Sequence, residues 1–267
     1  MTSEPIPPRP DGLHPVSGPS SPPVPVPEPG DGEPSRATWR PWEAIAVYLV
    51  AILLAGVATT PILGLIGDDD LATMAATAVA AIVILGVLVG WLSVLHPTWR
   101  QVMGVPRRGR WGAEIGRAIG FGLLLYPGIV FGVGLLVGVL LSLLSGEQPR
   151  APEQVPSDLT AIGVAITIVY AIVIAPLHEE LFFRGILFRG VRDRYGLGAG
   201  LIASGVGFAL IHYLEGEWQD TLLLIGVMFF NGIALAWWYD RRRVIVAPIV
   251  AHMVFNVVGL TLIFTIG

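Results

Sequence analysis

The sequence predicts an all-α fold, a polytopic transmembrane helix bundle of about seven spans behind a disordered, proline-rich amino-terminal tail. Three observations carry this. Hydrophobic residues make up 54% of the chain against 13% charged, and the mean hydropathy is +0.71, outside the range of soluble domains. Seven stretches reach the length of roughly 20 apolar residues that a span needs. The segments joining them alternate between arginine-rich and acidic.

Residues 1–37 hold twelve prolines with Ser and Gly and no apolar run, which predicts a solvated tail on the cytoplasmic side. Residues 38–267 then form the transmembrane domain. Its spans are expected near 42–65, 71–95, 115–144, 159–188, 197–214, 222–239 and 244–266. The third and fourth are long and carry Pro127 and Pro176, each expected to kink or tilt its helix. Gly116 with Gly120, and Gly134 with Gly138, have the spacing that lets helices approach closely, in the bundle or at a dimer face. The sequence does not set an oligomeric state.

All sixteen basic residues are arginines. Arg36 and Arg40 precede the first span, and Asp68, Asp69 and Asp70 follow it. Arg100, Arg107, Arg108 and Arg110 come next, then Glu147, Glu153 and Asp158 with Arg150. Arg189, Arg192 and Arg194, then Glu215, Glu217 and Asp220, then Arg241, Arg242 and Arg243 complete the pattern. Arginine-rich loops stay inside, so this reads as a multi-pass cell-membrane protein with a cytoplasmic amino terminus and an outside carboxyl terminus. Trp39, Trp42, Trp99, Trp111, Trp218, Trp237 and Trp238 fall at span ends, where headgroup-level rings are expected, and Trp91 lies deeper. With no cysteine, disulfides, thiolate metal sites and cysteine nucleophiles are excluded.

Polar groups inside the last four spans are few: His178, Glu179, Glu180, Arg184, His212, Asn231, His252 and Asn256. An ionisable group near a bilayer centre costs on the order of 3 kcal/mol, so such groups usually mark a site. At 1.5 Å rise per residue, Glu179, His212, His252 and Asn256 lie roughly 14 to 22 Å above the arginine-rich ends of their helices, one common level. Glu180 and Arg184, four apart, can pair, while Glu179 points about 100° away and stays free. A free carboxylate in an apolar setting has its charged form disfavoured, which suits a general base acting on water. His252 and Asn256 share a face from which a developing oxyanion could be stabilised.

Other chemistries fit less well. Ser204 has no G-x-S-x-G around it. His178-Glu179 opens like a zincin motif, but Phe182 stands where the second histidine belongs. Glu179, His212 and His252 leave a His₂Glu metal site open, with zinc the natural ion; otherwise no cofactor is expected. His178 reads as structural or cavity-lining. Asn231 reads first as a hydrogen bond within its bundle and second as a cavity-lining group.

Glu179-Glu180-x-x-x-Arg184, Phe208-x-x-x-His212 and His252-x-x-x-Asn256 resemble, in order and spacing, the three motifs of the CPBP (Abi) family of intramembrane proteases, which includes the type II CAAX prenyl endopeptidases. The resemblance covers residues 159–260. It implies an intramembrane glutamic endopeptidase in which Glu179 and His212 activate water, Glu180 and Arg184 support the site, and His252 with Asn256 stabilises the oxyanion. The partners it implies are a membrane-associated peptide or protein substrate and the lipid bilayer, with no nucleic acid. The alternatives are a non-catalytic membrane scaffold or bacteriocin-immunity protein, a metal-dependent hydrolase at the same residues, and a proton-coupled transporter, for which no inverted repeat is found.

Overall fold

The structure, a computed structural model, describes residues 35–66, 70–104, 111–150, 160–213 and 216–266. Its helices are α1 (Pro41–Ile66) and α2 (Asp70–Leu95), α3 (Trp111–Ser145) and α4 (Ala161–Tyr195), and α5 (Leu197–Leu210), α6 (Trp218–Arg242) and α7 (Val246–Ile266). No strand occurs among the described residues. Six of the helices are long and apolar enough to cross a membrane. The exception is the expected span at 197–214. As α5 it has 14 residues, about 21 Å at 1.5 Å per residue, against a core of ~30 Å.

The reason lies in its last turn. The amides of His212 and Tyr213 bond back three residues, to Ala209 and Leu210, and the His212 ring donates from Nδ1 to the Phe208 carbonyl at 2.7 Å. Together these tighten and close the helix.

Both kink-forming prolines lie in continuous helices with a π turn close by. Gly128–Val133 follows Pro127, and Tyr170–Ile174 precedes Pro176. Pro176 lacks the N–H for the bond four residues back and crowds that carbonyl, and the π turn ahead of it relaxes the crowding by moving the bond pattern to five residues.

The arginine-rich segments gather at one end. Asp193 takes Arg189 at 3.2 Å and the Ala37 amide at 2.9 Å, Arg192 reaches Asp240 at 2.5 Å, Arg242 reaches Glu114 at 2.6 Å, and Ile245 donates to the Met103 carbonyl. At the other end Gln219 donates to Glu147 and the Arg150 amide to Asp220. The alternating charges are thus sorted to opposite ends. Asp68, Asp69, Arg107, Arg108, Arg110, Glu153, Asp158 and Glu215 lie outside the described residues, as does the tail through residue 34. Ser35 and Ala37, assigned to that tail, are instead tied to α4: Arg189 donates to the Ser35 carbonyl at 2.9 Å.

Trp39, expected to present its ring at headgroup level, instead packs it into the protein. It is fully buried and donates from Nε1 to the Ile186 carbonyl at 2.9 Å. The close helix approaches also differ from expectation. A Cβ on Gly116 or Gly120 would meet nothing within 4 Å, whereas one on Gly122 would meet the Ala251 carbonyl at 2.6 Å, and one on Gly232 the Gly205 Cα at 2.9 Å. The glycines that matter for packing therefore sit where α3 meets α7 and where α5 meets α6.

Two apolar clusters result. One joins α1, α2, α4, α5 and α6 around Phe183, Phe188 and Phe208; the other joins α3, α6 and α7 around Leu235, Ala251 and Phe255. The polar residues of the last four helices lie at the seam between them.

Candidate active site

Glu179 and Glu180 are the last residues before α4 widens into its second π turn, Leu181–Phe188. Both are buried, as are Arg184 and His252. Arg184 Nη1 lies 2.8 Å from Glu180 Oε1 with both side chains fully buried, an ion pair whose alignment falls short of a hydrogen bond. The expected pairing across one helical turn is thus present.

His252 adds a connection that helix spacing did not anticipate. Its Nδ1 is 2.8 Å from the same Glu180 Oε1, and its Nε2 is 3.9 Å from Glu179 Oε2. One imidazole therefore faces two neighbouring carboxylates. A carboxylate only accepts, so Nδ1 carries the hydrogen and Nε2 is left toward Glu179. Glu179 Oε2 is buried with no hydrogen-bond partner. The 3.9 Å gap is one that a single oxygen can bridge at ordinary hydrogen-bond lengths.

Arg184 is held on three sides. Its guanidinium lies 4.4 Å over the Phe208 ring, Nη2 donates to the Gly232 carbonyl at 3.4 Å, and Glu180 takes Nη1. The Phe208 ring also packs against both His212, at 4.6 Å, and His252, at 5.7 Å. The two imidazoles are therefore neighbours across one phenyl ring. Among the described residues no hydrogen bond or ion pair joins His212 to Glu179. Since the Phe208 carbonyl can only accept, His212 Nδ1 is protonated and its Nε2 is the free acceptor.

Asn256 stands apart from His252 in its bonding, donating to the Ala171 carbonyl at 2.7 Å. In the π pattern that carbonyl would look to residue 176, which is Pro176 and has no N–H. Asn256 fills that place and keeps one amide hydrogen uncommitted. His178 donates to the Ile174 carbonyl at 3.2 Å, in keeping with a structural reading. The buried hydroxyl of Ser204 points at the Phe183 carbonyl, 3.4 Å away. Asn231 is buried, makes no hydrogen bond among the described residues, and leaves Oδ1 without a partner, so the expected helix-to-helix bond is not formed.

The phenols of Tyr48 on α1 and Tyr170 on α4 lie within electrostatic reach of Glu179. Tyr48 is fixed by stacking on Phe182 at 3.8 Å and 11°. Neither tyrosine was singled out in the sequence, where α1 offers no charged group at this depth. Among the described residues no three of the His, Cys, Asp and Glu side chains come together as a metal-holding group, so Glu179, His212 and His252 are not gathered as a His₂Glu set.

Residues 161–258 match the family described as Rce1-like, the type II CAAX prenyl endopeptidases. The match supports the CPBP/CAAX protease family for that segment. The matched segment runs from the start of α4 to the middle of α7 and includes all six candidate site residues. Together with the six long apolar helices, the match supports a multi-pass membrane protein. The chain is also 27% identical over 128 residues to an uncharacterized 24.3 kDa protein of Escherichia coli. That alignment covers 46% of this chain and 57% of the relative, so the chain spans little over half the length of that relative. No solved structure matches.

Proposed function

We propose that this chain is an intramembrane endopeptidase that hydrolyses a peptide bond of a membrane-associated peptide or protein, with Glu179 as the base that activates water. One observation carries the reading. Glu180 is committed through Oε1 to Arg184 and to His252 Nδ1, with only its Oε2 unpartnered, whereas Glu179 makes no hydrogen bond among the described residues and has its buried Oε2 3.9 Å from His252 Nε2. Two adjacent carboxylates in one helix are thus separated into a structural and a reactive one.

In the proposed reaction, water between Glu179 and the scissile carbonyl gives its proton to Glu179 as its oxygen attacks. His212, with Nε2 as its free acceptor, helps orient that water. The oxyanion is stabilised by the remaining amide hydrogen of Asn256 and by the Nε2–H of His252 in its doubly protonated form, whose Nδ1–H Glu180 holds. The proton on Glu179 then passes to the leaving amine. Arg184 neutralises Glu180, so that both carboxylates need not compete for one proton. His212 follows the early end of α5, and non-helical backbone at membrane depth is tolerated where it lines protein or a watery cavity. That placement supports water access near the site.

By the positive-inside rule, the end holding Arg189, Arg192, Arg242 and Arg243 faces the cytoplasm. The test uses purified protein in liposomes with a membrane-tethered peptide, in ¹⁸O-labelled water and with a metal chelator present. The proposal expects cleavage that persists under chelation and places one labelled oxygen in the new carboxyl terminus. Lasting loss of activity with the chelator, restored by zinc, would replace this mechanism with the metal-dependent one.

A further inference from the structure

Asn231 has no part in the chemistry assigned above, yet it is 1% exposed on α6 and its Oδ1 has no partner. Leaving a buried amide oxygen unpaired costs about 1–3 kcal/mol, and buried polar atoms in folded chains nearly always find a protein or water partner. Two contacts locate it. The next residue, Gly232, supplies the carbonyl that receives Arg184 Nη2. One turn further along the same face, Leu235 packs with Ala251 and Phe255 of α7, the residues on either side of the His252 turn.

Asn231 therefore lies on the α6 face turned to α7, one residue from the carbonyl that receives the guanidinium. The other buried atoms of this region without a hydrogen-bond partner are Glu179 Oε2, Glu180 Oε2 and Arg184 Nε and Nη1. Unpartnered acceptors and N–H donors thus occur on neighbouring stretches of α4 and α6, a setting in which a water could make the two to four bonds it needs.

We propose that Asn231 is a positioning residue for the hydrolytic reaction, its Oδ1 taking the Arg184 Nε hydrogen through a bridging water. This rests on the endopeptidase reading above. The bridge fixes the guanidinium, the guanidinium fixes Glu180, and Glu180 keeps the hydrogen of His252 on Nδ1. Such indirect partners commonly change a site's chemistry 10- to 100-fold. The α6 backbone reaches Arg184 only because residue 232 is glycine, since a Cβ there would strike Gly205 and Phe208 at 2.9 and 3.0 Å.

The experiment compares Asn231→Leu and Asn231→Ala, which remove the acceptor, with Asn231→Asp, which keeps acceptor and shape. All are purified in liposomes with the tethered peptide and followed across pH. Expected is a fall in kcat of about tenfold or more with KM unchanged, a displaced pH profile, and recovery to within about threefold in Asn231→Asp. The Ala and Asp variants carry the test if the Leu variant fails to fold. Wild-type kcat and pH profile in the variants lacking the acceptor would overturn the proposal. So would a loss that Asn231→Asp does not restore, since that is a packing effect. Glu179→Gln run alongside separates the two ideas: if it is inactive while Asn231→Leu behaves as wild type, only the role of Asn231 falls, and if it is active the endopeptidase reading falls as well.

Discussion

Replacing Arg184 with Met tests whether Glu180 needs its cation. The substitution keeps an unbranched side chain against the Phe208 ring and deletes the charge. Both members of the ion pair are fully buried at 2.8 Å, so the carboxylate left behind cannot be rehydrated in place. Removing one partner of a buried pair destabilises by about 3–5 kcal/mol. His252 Nδ1, also 2.8 Å from that oxygen, remains and offsets part of the loss. The expected penalty is therefore about 3 kcal/mol, roughly a hundredfold or somewhat more in the ratio of folded to unfolded protein. Glu180→Gln alone should be at least as damaging, because Arg184 cannot shed its proton. The double variant Glu180→Gln/Arg184→Met leaves no bare charge and should return to within about 1 kcal/mol of wild type. Unfolding in mixed detergent micelles, followed by circular dichroism, measures all four proteins. Single variants within about 0.5 kcal/mol of wild type, or a double variant no better than the singles, would refute the reasoning.

Gly232→Ala should cost about 1–3 kcal/mol by pushing α6 off α5, while Gly116→Ala, where nothing lies within 4 Å, should stay within about 0.5 kcal/mol; equal effects in thermal melts would count against the packing described. His96, just beyond α2, has Nδ1 2.8 Å from the Thr38 hydroxyl and its ring against Trp39 and Trp91, and burial holds its imidazole below the usual histidine range despite Glu43 nearby. The unfolded chain then takes the proton first, so this contribution is present above about pH 6.5 and declines on acidification toward the folded pKa. His96→Gln should flatten that limb of melting temperature against pH, and an unchanged slope would remove His96 from the account.

The membrane class, the order of the helices and the sorting of charges to two ends were legible because hydropathy and arginine placement act over whole segments. The Glu180 and Arg184 pair was legible because four residues make one turn. The link from Glu180 to His252 was not, since they are 72 residues apart and nothing in either helix's own periodicity sets which ring nitrogen meets which carboxylate. The bond of Asn256 to Ala171 was not legible either, since it follows from a π turn ahead of Pro176, a feature set by crowding and not by apolar spacing. The early end of α5 was missed because the apolar run continues through Ile211, Tyr213 and Leu214 in the sequence while the backbone of residues 211–213 leaves the helix. Trp39 was assigned to the headgroup boundary by position alone, and burial against α4 overrode that tendency. The close glycine contacts were misjudged for a similar reason: spacing alone does not say which face meets a neighbour.

The central claim is that Glu179, and not its neighbour, carries the reacting proton. Glu179→Gln leaves the Arg184, Glu180 and His252 connections intact and should fold as wild type. Its rate of cleavage of a membrane-tethered peptide, measured on purified protein in liposomes, should fall by about 10²–10⁴-fold. An undiminished rate would contradict the account.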